Sequence, residues 1–218
     1  MRSWLAIPAL LFSLTSYATV VTFEDVTAID IGVDCQTLPC DEVITPQGFV
    51  FEVSVPADDF SLIGVTAGGP TGNYVAAGYA FPPAGIGRDM IITHQSGLDF
   101  DLHSLDTLLF DFDSSLSQGI SPLDIYGYDA ADNQVAFLSL APEGDGSDDW
   151  VNVVFDSNWD AVNKVVIENQ VFGSTFGTEA KPTYVDNFTA TVVPLPAAVW
   201  LFGSALAGLG WMRRKQAV

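Results

Sequence analysis

The stretch "FVFEVSV" at residues 49–55 decides the fold class of this 218-residue chain. Its apolar side chains Phe49, Phe51, Val53 and Val55 recur at every second position. This period of two places all four on one face of an extended strand, whereas a helix would distribute them around its axis. The stretch therefore predicts a β-strand with one face in a hydrophobic core.

The chain between its two ends carries more signals of the same kind. Residues 108–113, "LLFDFD", also alternate, and turn clusters such as "AGGPTGN" and "PEGDGSDD" separate the strand candidates. No long amphipathic helix and no internal repeat is apparent in the sequence. Many short strands at this spacing predict an all-β fold, an antiparallel jelly-roll β-sandwich over residues 19–192. The other strand candidates are residues 20–24, 90–93, 123–128, 134–140, 150–155, 164–168 and 184–192.

The predicted sandwich is strongly acidic. All 27 acidic residues lie within it, against three bases, Arg88, Lys164 and Lys181, so its formal charge is −24. This charge argues against nucleic acid and anionic membrane surfaces as partners, because both would be repelled. It is compatible with cation binding or with solubility in a crowded, salty matrix.

Residues 1–18 have the layout of a secretory signal peptide. Arg2 supplies a positive charge, residues 4–14 are almost entirely apolar, and "SYA" at residues 16–18 is a small-x-small cleavage site. We therefore expect the mature chain to begin at Thr19 and the domain to be exported.

The C-terminal end predicts a membrane anchor. Residues 197–212 contain no charged residue and are just long enough for a short transmembrane helix, and Arg213, Arg214 and Lys215 follow directly. A basic cluster stays on the cytoplasmic side of a membrane. Together with the signal peptide, this orients the acidic domain outward.

The C-terminal residues resemble the PEP-CTERM sorting signal of exported proteins from Gram-negative bacteria. The resemblance covers residues 193–218: the motif Val193, Pro194, Leu195, Pro196 and Ala197, the apolar helix, and the basic cluster. Leu195 stands where the name-giving pattern has Glu, so this is a VPLPA variant of the signal. The resemblance implies a transient inner-membrane intermediate, recognition by an exosortase, cleavage near the proline motif, and delivery to the cell surface or extracellular matrix.

The domain itself looks like exported domains that precede this signal and resemble carbohydrate-binding modules. The similarity rests on "VTFEDV", "TPQGFVFEV", "FDLHSLD", "DIYGYDAADNQV", "WVNVVFDSNWDAVNKVVIEN" and "YVDNFTA". It implies a jelly-roll domain that contacts exopolysaccharide.

Three carboxylates are candidates for a calcium site. If the first and last strands are neighbours, Glu24 and Asp25 approach Asp186, and oxygen ligands of this kind suit calcium. The simpler alternative is that Asp25 and Asp186 accept hydrogen bonds in turns or caps. Calcium is the only cofactor that we expect.

The best candidate for a sugar-binding surface lies in residues 123–128. Tyr126 and Tyr128 share one side of this strand with Asp124, while Leu123 and Ile125 take the other side. Aromatic rings stack on the apolar faces of sugars while acids accept hydrogen bonds from hydroxyl groups. A second candidate pair is Tyr74 and Tyr79. We assign the other large aromatic residues to the core instead, namely Trp150, Phe155 and Trp159.

Cys35 and Cys40 are the only cysteines, and export favours a disulfide between them. A redox motif more often has the spacing Cys-x-x-Cys, and zinc needs more ligands.

The sequence thus predicts a non-enzymatic surface or matrix protein. One alternative is a secreted polysaccharide hydrolase with paired carboxylates, since acids are abundant. The other is a structural surface domain without a specific ligand.

Overall fold

The computed structural model describes residues 17–24, 43–54, 61–67, 69–79, 89–111, 120–174 and 177–193. The described strands form two sheets of six strands and a small sheet of two. Sheet A contains β1 (Ala18–Val21), β4 (Ser61–Ala67), β5 (Asn73–Tyr79), β7 (Phe100–Leu109), β10 (Asp149–Val154) and β14 (Thr183–Val192). Sheet B contains β2 (Val43–Ile44), β3 (Phe49–Val53), β6 (Met90–His94), β8 (Leu123–Tyr128), β9 (Gln134–Leu140) and β11 (Lys164–Ile167). The small sheet pairs β12 (Val171–Ser174) with β13 (Gly177–Ala180).

The strand order confirms the predicted jelly roll. Leaving out the small sheet, β5 pairs with β14, β6 with β11, β7 with β10, and β8 with β9, all antiparallel. The first strand of this series therefore pairs with the last, the second with the one before it, and so on inward. A long hairpin folded over onto itself produces this nesting, and the pairs β11–β8 and β14–β7 complete the two sheets.

The core lies between the two sheets and is centred on phenylalanine. Phe188 from sheet A packs edge to face against Phe49 and Phe51 from sheet B, with ring centroids 5.0 and 5.5 Å apart. Phe100 joins this group 5.3 Å from Phe49, and all four side chains are fully buried. Each contributes about 1.5–3 kcal/mol from burial. The described part of the stretch therefore acts as predicted, because its strand β3 points Phe49, Phe51 and Val53 inward, whereas Val55 lies outside the described residues.

β14 is the central strand of sheet A. Its N-terminal half pairs with β5, its C-terminal half pairs with β1, and β7 lies along its other side. The register with β7 shifts after Asp186, where Asn187 adopts the left-handed backbone conformation with φ of 47°. This bulge changes which side chains of β14 reach each face of the sheet.

Several predicted features lie outside the described residues. These are the signal peptide up to residue 16, the cysteine pair Cys35 and Cys40, and all of residues 194–218. Within the part of the chain that the structure describes, no helix has the length and apolar character needed to span a membrane.

Candidate functional site

β8 places the three predicted sugar-binding residues on the outer face of sheet B. Its side chains alternate in burial, with Leu123 and Ile125 directed into the core and Asp124, Tyr126 and Tyr128 partly exposed. The alternation arises because a strand at the surface of a sandwich has one dry face and one wet face. Asp124, Tyr126 and Tyr128 therefore lie on one surface of the domain, as the alternation of the sequence predicts.

The neighbouring strand adds a third aromatic ring. Phe137 of β9 lies directly opposite Tyr126, with ring centroids 5.1 Å apart, and 51% of Phe137 is exposed. Tyr126 and Tyr128 are 6.5 Å apart at an interplanar angle of 32°. We call Tyr126, Tyr128 and Phe137 the aromatic platform. Sequence reasoning missed Phe137, because the period within one strand does not show which residue of another strand lies beside it.

The platform continues as an apolar row across sheet B. In the strand register, Phe137 lies beside Tyr126, Tyr126 beside Val166, and Val166 beside Ile91. Neighbouring strands are spaced about 4.8 Å apart, so this row of four extends for roughly 14 Å. The outer face thus offers an extended strip rather than a single contact point.

A lysine borders the platform on one side. The ammonium group of Lys164 lies 4.5 Å from the centre of the Tyr128 ring and forms an ion pair with Asp132. The cation is therefore held by an aromatic face and a carboxylate together. Because Asp132 neutralises it, Lys164 does little to attract an anionic ligand.

Carboxylates border the platform on the other side. Burial, and then the nearby charges of Asp89 and Asp124, raise the pKa of Glu168, although a hydrogen bond from Tyr126 opposes this shift. Burial and then Glu168 raise the pKa of Tyr126 in turn. One oxygen of Asp124, Oδ1, is buried and has no hydrogen-bond partner in the described structure. This side of the platform is thus rich in hydrogen-bond acceptors and negative in charge.

The platform ends at a cleft between the free edges of the two sheets. β9 is an edge strand of sheet B and β10 an edge strand of sheet A. The cleft between them has a volume of about 270 Å³. We call it the edge cleft. It is lined by Val135, Ala136, Phe137, Leu138, Val154, Phe155, Asp156, Asn158 and Trp159.

A glycine and a short turn build the wall of the edge cleft. Trp159 is 4% exposed, and its ring lies 4.6 Å from that of Phe155. It reaches this position because Gly127 has no side chain: a Cβ there would lie only 3.2 Å from the Trp159 ring. The turn before Trp159 is capped by Asp156, which accepts hydrogen bonds from Asn158 through both the backbone N–H, at 2.9 Å, and the side-chain amide, at 3.0 Å.

The residues of the predicted calcium site lie on the other side of the sandwich. β1 and β14 are neighbours, as the prediction required. Asp186 accepts hydrogen bonds from the backbone and hydroxyl of Thr71, at 3.3 and 2.9 Å, and Glu24 accepts one of 2.6 Å from the backbone of Asn73. Both carboxylates therefore hold the same turn. Asp25 lies outside the described residues, and in the described ranges no group of three or more potential metal ligands occurs.

The turn between these carboxylates depends on glycine. Gly72 has a φ of 137°, and a Cβ there would lie 2.5 Å from a carboxylate oxygen of Glu24. The conformation therefore favours glycine, and a side chain here would also displace the Glu24 carboxylate. The turn, part of the "AGGPTGN" cluster, brings backbone donors to the two acids.

Asp186 also has a buried acidic neighbour. Asp106 of β7 lies directly opposite it in the register, and the two side chains are 9% and 0% exposed. Asp106 accepts hydrogen bonds of 2.6 Å from each of the amides of Asn152 and Asn187. Burial, and to a smaller degree the charge of Asp106, raise the pKa of Asp186, while the hydrogen bonds from Thr71 and Asn187 lower it. Their burial leaves little room for a substrate to reach both carboxylates.

One predicted core residue lies elsewhere. Trp159 is in the core and Phe155 packs against it, as expected, but Trp150 is not part of the core cluster. Val151 and Val153 of the same strand pack on the core instead. Trp150 therefore takes the opposite face of sheet A, where its ring lies 5.2 Å from that of Tyr74.

Comparison with solved structures found distant matches. A mutant of the carbohydrate-binding module CBM29-2 is 13% identical, with a TM-score of 0.38, over 81% of this chain and 93% of the module. The K1 cleaved adhesin domain of Lys-gingipain from Porphyromonas gingivalis W83 is 10% identical, with a TM-score of 0.42, over 82% of this chain and 99% of that domain. Likenesses this distant do not bear on the ligand of this chain. None of the curated proteins compared with the sequence matches it.

The comparison with protein families identified one motif. Residues 192–215 match the PEP-CTERM protein-sorting motif. This range contains the proline motif, the uncharged segment and the basic cluster that the sequence analysis singled out. The chain therefore carries a PEP-CTERM sorting motif and is an exported protein that passes the membrane.

Proposed function

We propose that this chain is a non-enzymatic protein of the cell surface or extracellular matrix, whose jelly-roll domain binds exopolysaccharide on the outer face of sheet B. The sorting motif supports the location, because exosortase processing releases an exported domain outside the inner membrane. The acidic domain lies between the predicted signal peptide and the sorting motif, and this order favours a location of the domain outside the inner membrane.

The observation that carries the binding proposal is the exposed aromatic platform with carboxylates at its border. Phe137 and Tyr126 stabilise the sheet as a cross-strand pair, but half of Phe137 stays exposed beside two tyrosines, and a contiguous exposed group of rings is typical of a binding surface. Sugars fit such a surface, because their C–H faces pack on aromatic rings and their hydroxyl groups donate to carboxylates such as Asp124 and Glu168. The acidic border makes a neutral glycan a better ligand than an anionic one.

The test is co-sedimentation of the full chain with extracellular polysaccharide from its host. The Tyr126→Ala and Tyr128→Ala variants each remove a ring that contributes about 1–2 kcal/mol to binding, so we expect a five- to thirtyfold weaker association. Trp150→Ala is the matched control, since this half-buried aromatic residue lies on sheet A. We expect it to bind as the unchanged protein does.

Two results would contradict the proposal. Equal binding by all three variants would move the ligand away from the platform. If the purified protein hydrolysed the glycan and lost this activity when a pair of carboxylates was replaced, the alternative function as a polysaccharide hydrolase would be favoured.

A further inference from the structure

The edge cleft is a second feature that a glycan on the platform would meet. Its volume of about 270 Å³ falls just below the roughly 300–1,000 Å³ of pockets that enclose a whole small molecule. The cleft is thus suited to a substituent of a larger ligand. Seven of the nine residues that line it are apolar, and the other two are Asp156 and Asn158. Polar and apolar atoms contribute about equally to its surface, so the cleft suits a substituent that has both a polar and an apolar part.

Phe137 connects the cleft to the platform. The same side chain lies 5.1 Å from the Tyr126 ring and also lines the cleft. Beyond Phe137, Val135 and Val154 are 48% and 74% exposed at the free edges of the two sheets. Exposed apolar side chains therefore continue from the platform to the edge strand β9 and to the cleft beside it.

The lining of the cleft selects among the substituents that sugars carry. A hydroxyl group would lose hydration against the valine and aromatic side chains and has no apolar part that could pack on them. An ammonium group would be attracted by Asp156 and by the acidic domain, but this attraction is screened by salt and does not depend on the shape of the cleft. A carboxylate or sulfate group would be repelled by Asp156 and by the acidic domain as a whole. An acetamido group fits better, because its methyl group packs on apolar walls while its N–H donates to a carboxylate at the rim.

We propose that the edge cleft binds the acetamido group of an N-acetylated sugar in the glycan that occupies the platform. This inference rests on the proposed function and narrows its ligand to a class of neutral, N-acetylated polysaccharides. The platform supplies contacts to any sugar ring, and the cleft supplies the discrimination between substituents.

Three soluble hexasaccharides separate these two contributions. The β-1,4-linked hexamers of N-acetylglucosamine, glucosamine and glucose share one backbone and differ only in an acetamido, ammonium or hydroxyl group on each ring. Their dissociation constants are measured by calorimetry with the full chain, in a detergent whose headgroup contains no sugar. We expect the N-acetylglucosamine hexamer to bind about tenfold more tightly than the glucose hexamer, the usual gain from one added apolar group in a fitted pocket. The glucosamine hexamer should weaken as salt is added, because only charge attracts it, whereas the tenfold preference should not change with salt.

A pair of valine substitutions tests the location. Val154→Glu introduces a charge into the cleft at a side chain that is 74% exposed, so the fold tolerates it. We expect this variant to lose the tenfold preference and to keep its affinity for the glucose hexamer. Val20→Glu is the matched control, because Val20 is an exposed valine of β1 in sheet A, away from the cleft. It should keep the preference.

The possible failures are distinguishable. Equal affinity for the N-acetylglucosamine and glucose hexamers, or loss of preference in both valine variants, overturns the assignment of the cleft and leaves the platform in place. If the protein binds host polysaccharide but none of the hexamers, the assignment of the cleft to an acetamido group is likewise wrong, and the platform remains the proposed binding surface. Absence of binding to every hexamer and to host polysaccharide overturns the proposed function itself.

Discussion

Replacing Gly127 with alanine is the sharpest test of how the edge cleft is built. A Cβ at this position would lie 3.0 Å from Ala136 Cβ, 3.1 Å from Val162 Cγ1 and 3.2 Å from the Trp159 ring. Contacts of 3.0–3.2 Å are closer than carbon atoms prefer, so each neighbour would have to move by a few tenths of an ångström. None of the three has a flexible end that can swing away.

The expected cost follows from two opposing effects. Overpacking a close-packed core costs about 1–3 kcal/mol. Replacing glycine by alanine also adds about 0.4–1 kcal/mol to the unfolding free energy, because alanine reduces the conformational freedom of the unfolded chain. The midpoints of these two ranges differ by about 1.3 kcal/mol, so we expect the Gly127→Ala variant to lose about that much unfolding free energy. Because Trp159 must shift, the variant should also lose part of its preference for N-acetylated hexamers.

Urea unfolding of the full chain, followed by circular dichroism, measures this loss. The double variant Gly127→Ala/Ala136→Gly removes the closest of the three contacts, so it should recover part of the stability lost by Gly127→Ala after correction for Ala136→Gly alone. A neutral or stabilising Gly127→Ala variant would refute the close packing of Trp159 on β8. A destabilised variant with no recovery would show that the crowding lies elsewhere.

Three other predictions concern the opposite side of the domain and the sorting motif. The pKa of Asp186 is raised in the folded state, so the folded protein binds a proton at this carboxylate more tightly than the unfolded chain does. The unfolding free energy therefore falls as pH rises from the ordinary aspartate range through the raised pKa. Asp186→Asn should reduce this fall in urea unfolding at a series of pH values, and identical pH slopes would contradict it. If calcium binds at Asp186 with Glu24 and Asp25, millimolar calcium should raise the melting temperature of the protein by several degrees. Asp186→Ala should abolish this rise. If calcium does not raise the melting temperature of the unchanged protein, the calcium site is wrong. Replacing Pro194 and Pro196 with alanine should leave an uncleaved chain in the membrane fraction on immunoblots, whereas normal release would argue against recognition of the proline motif.

The sequence was most informative for strands that have one face buried in the core and the other exposed to solvent. The bounds predicted for β8 and β9 agree with those observed, and the outward direction of Tyr126 and Tyr128 follows from simple alternation. β5 was missed because Ala76, Ala77 and Gly78 carry little strand signal, and β4 was missed because its apolar residues do not alternate around Gly64. Trp150 was misassigned because β10 has apolar residues on both faces, so its period does not show which face is inward.

The contacts that assemble the candidate site were beyond sequence reasoning. Phe137 joins the platform through the register between β8 and β9, which a single-strand pattern does not reveal. The edge cleft brings residues 135–138 together with residues 154–159, and only the jelly-roll crossover brings these segments together. The pairing of Asp106 with Asp186 likewise depends on strands that are far apart in sequence.

The central position of β14 has a consequence for the order in which the chain is exported and folded. β14 is the last of the described strands, yet β1, β5 and β7 all pair with it. Phe188, which fills the centre of the core, also belongs to it. A chain that crosses a membrane from its N-terminus exposes this strand last, so the sandwich has no complete core until nearly the entire domain is outside. Non-local pairing of this kind is also slow. If the chain crosses the membrane unfolded from its N-terminus, this topology delays folding of the domain until β14 has emerged, just before the sorting motif.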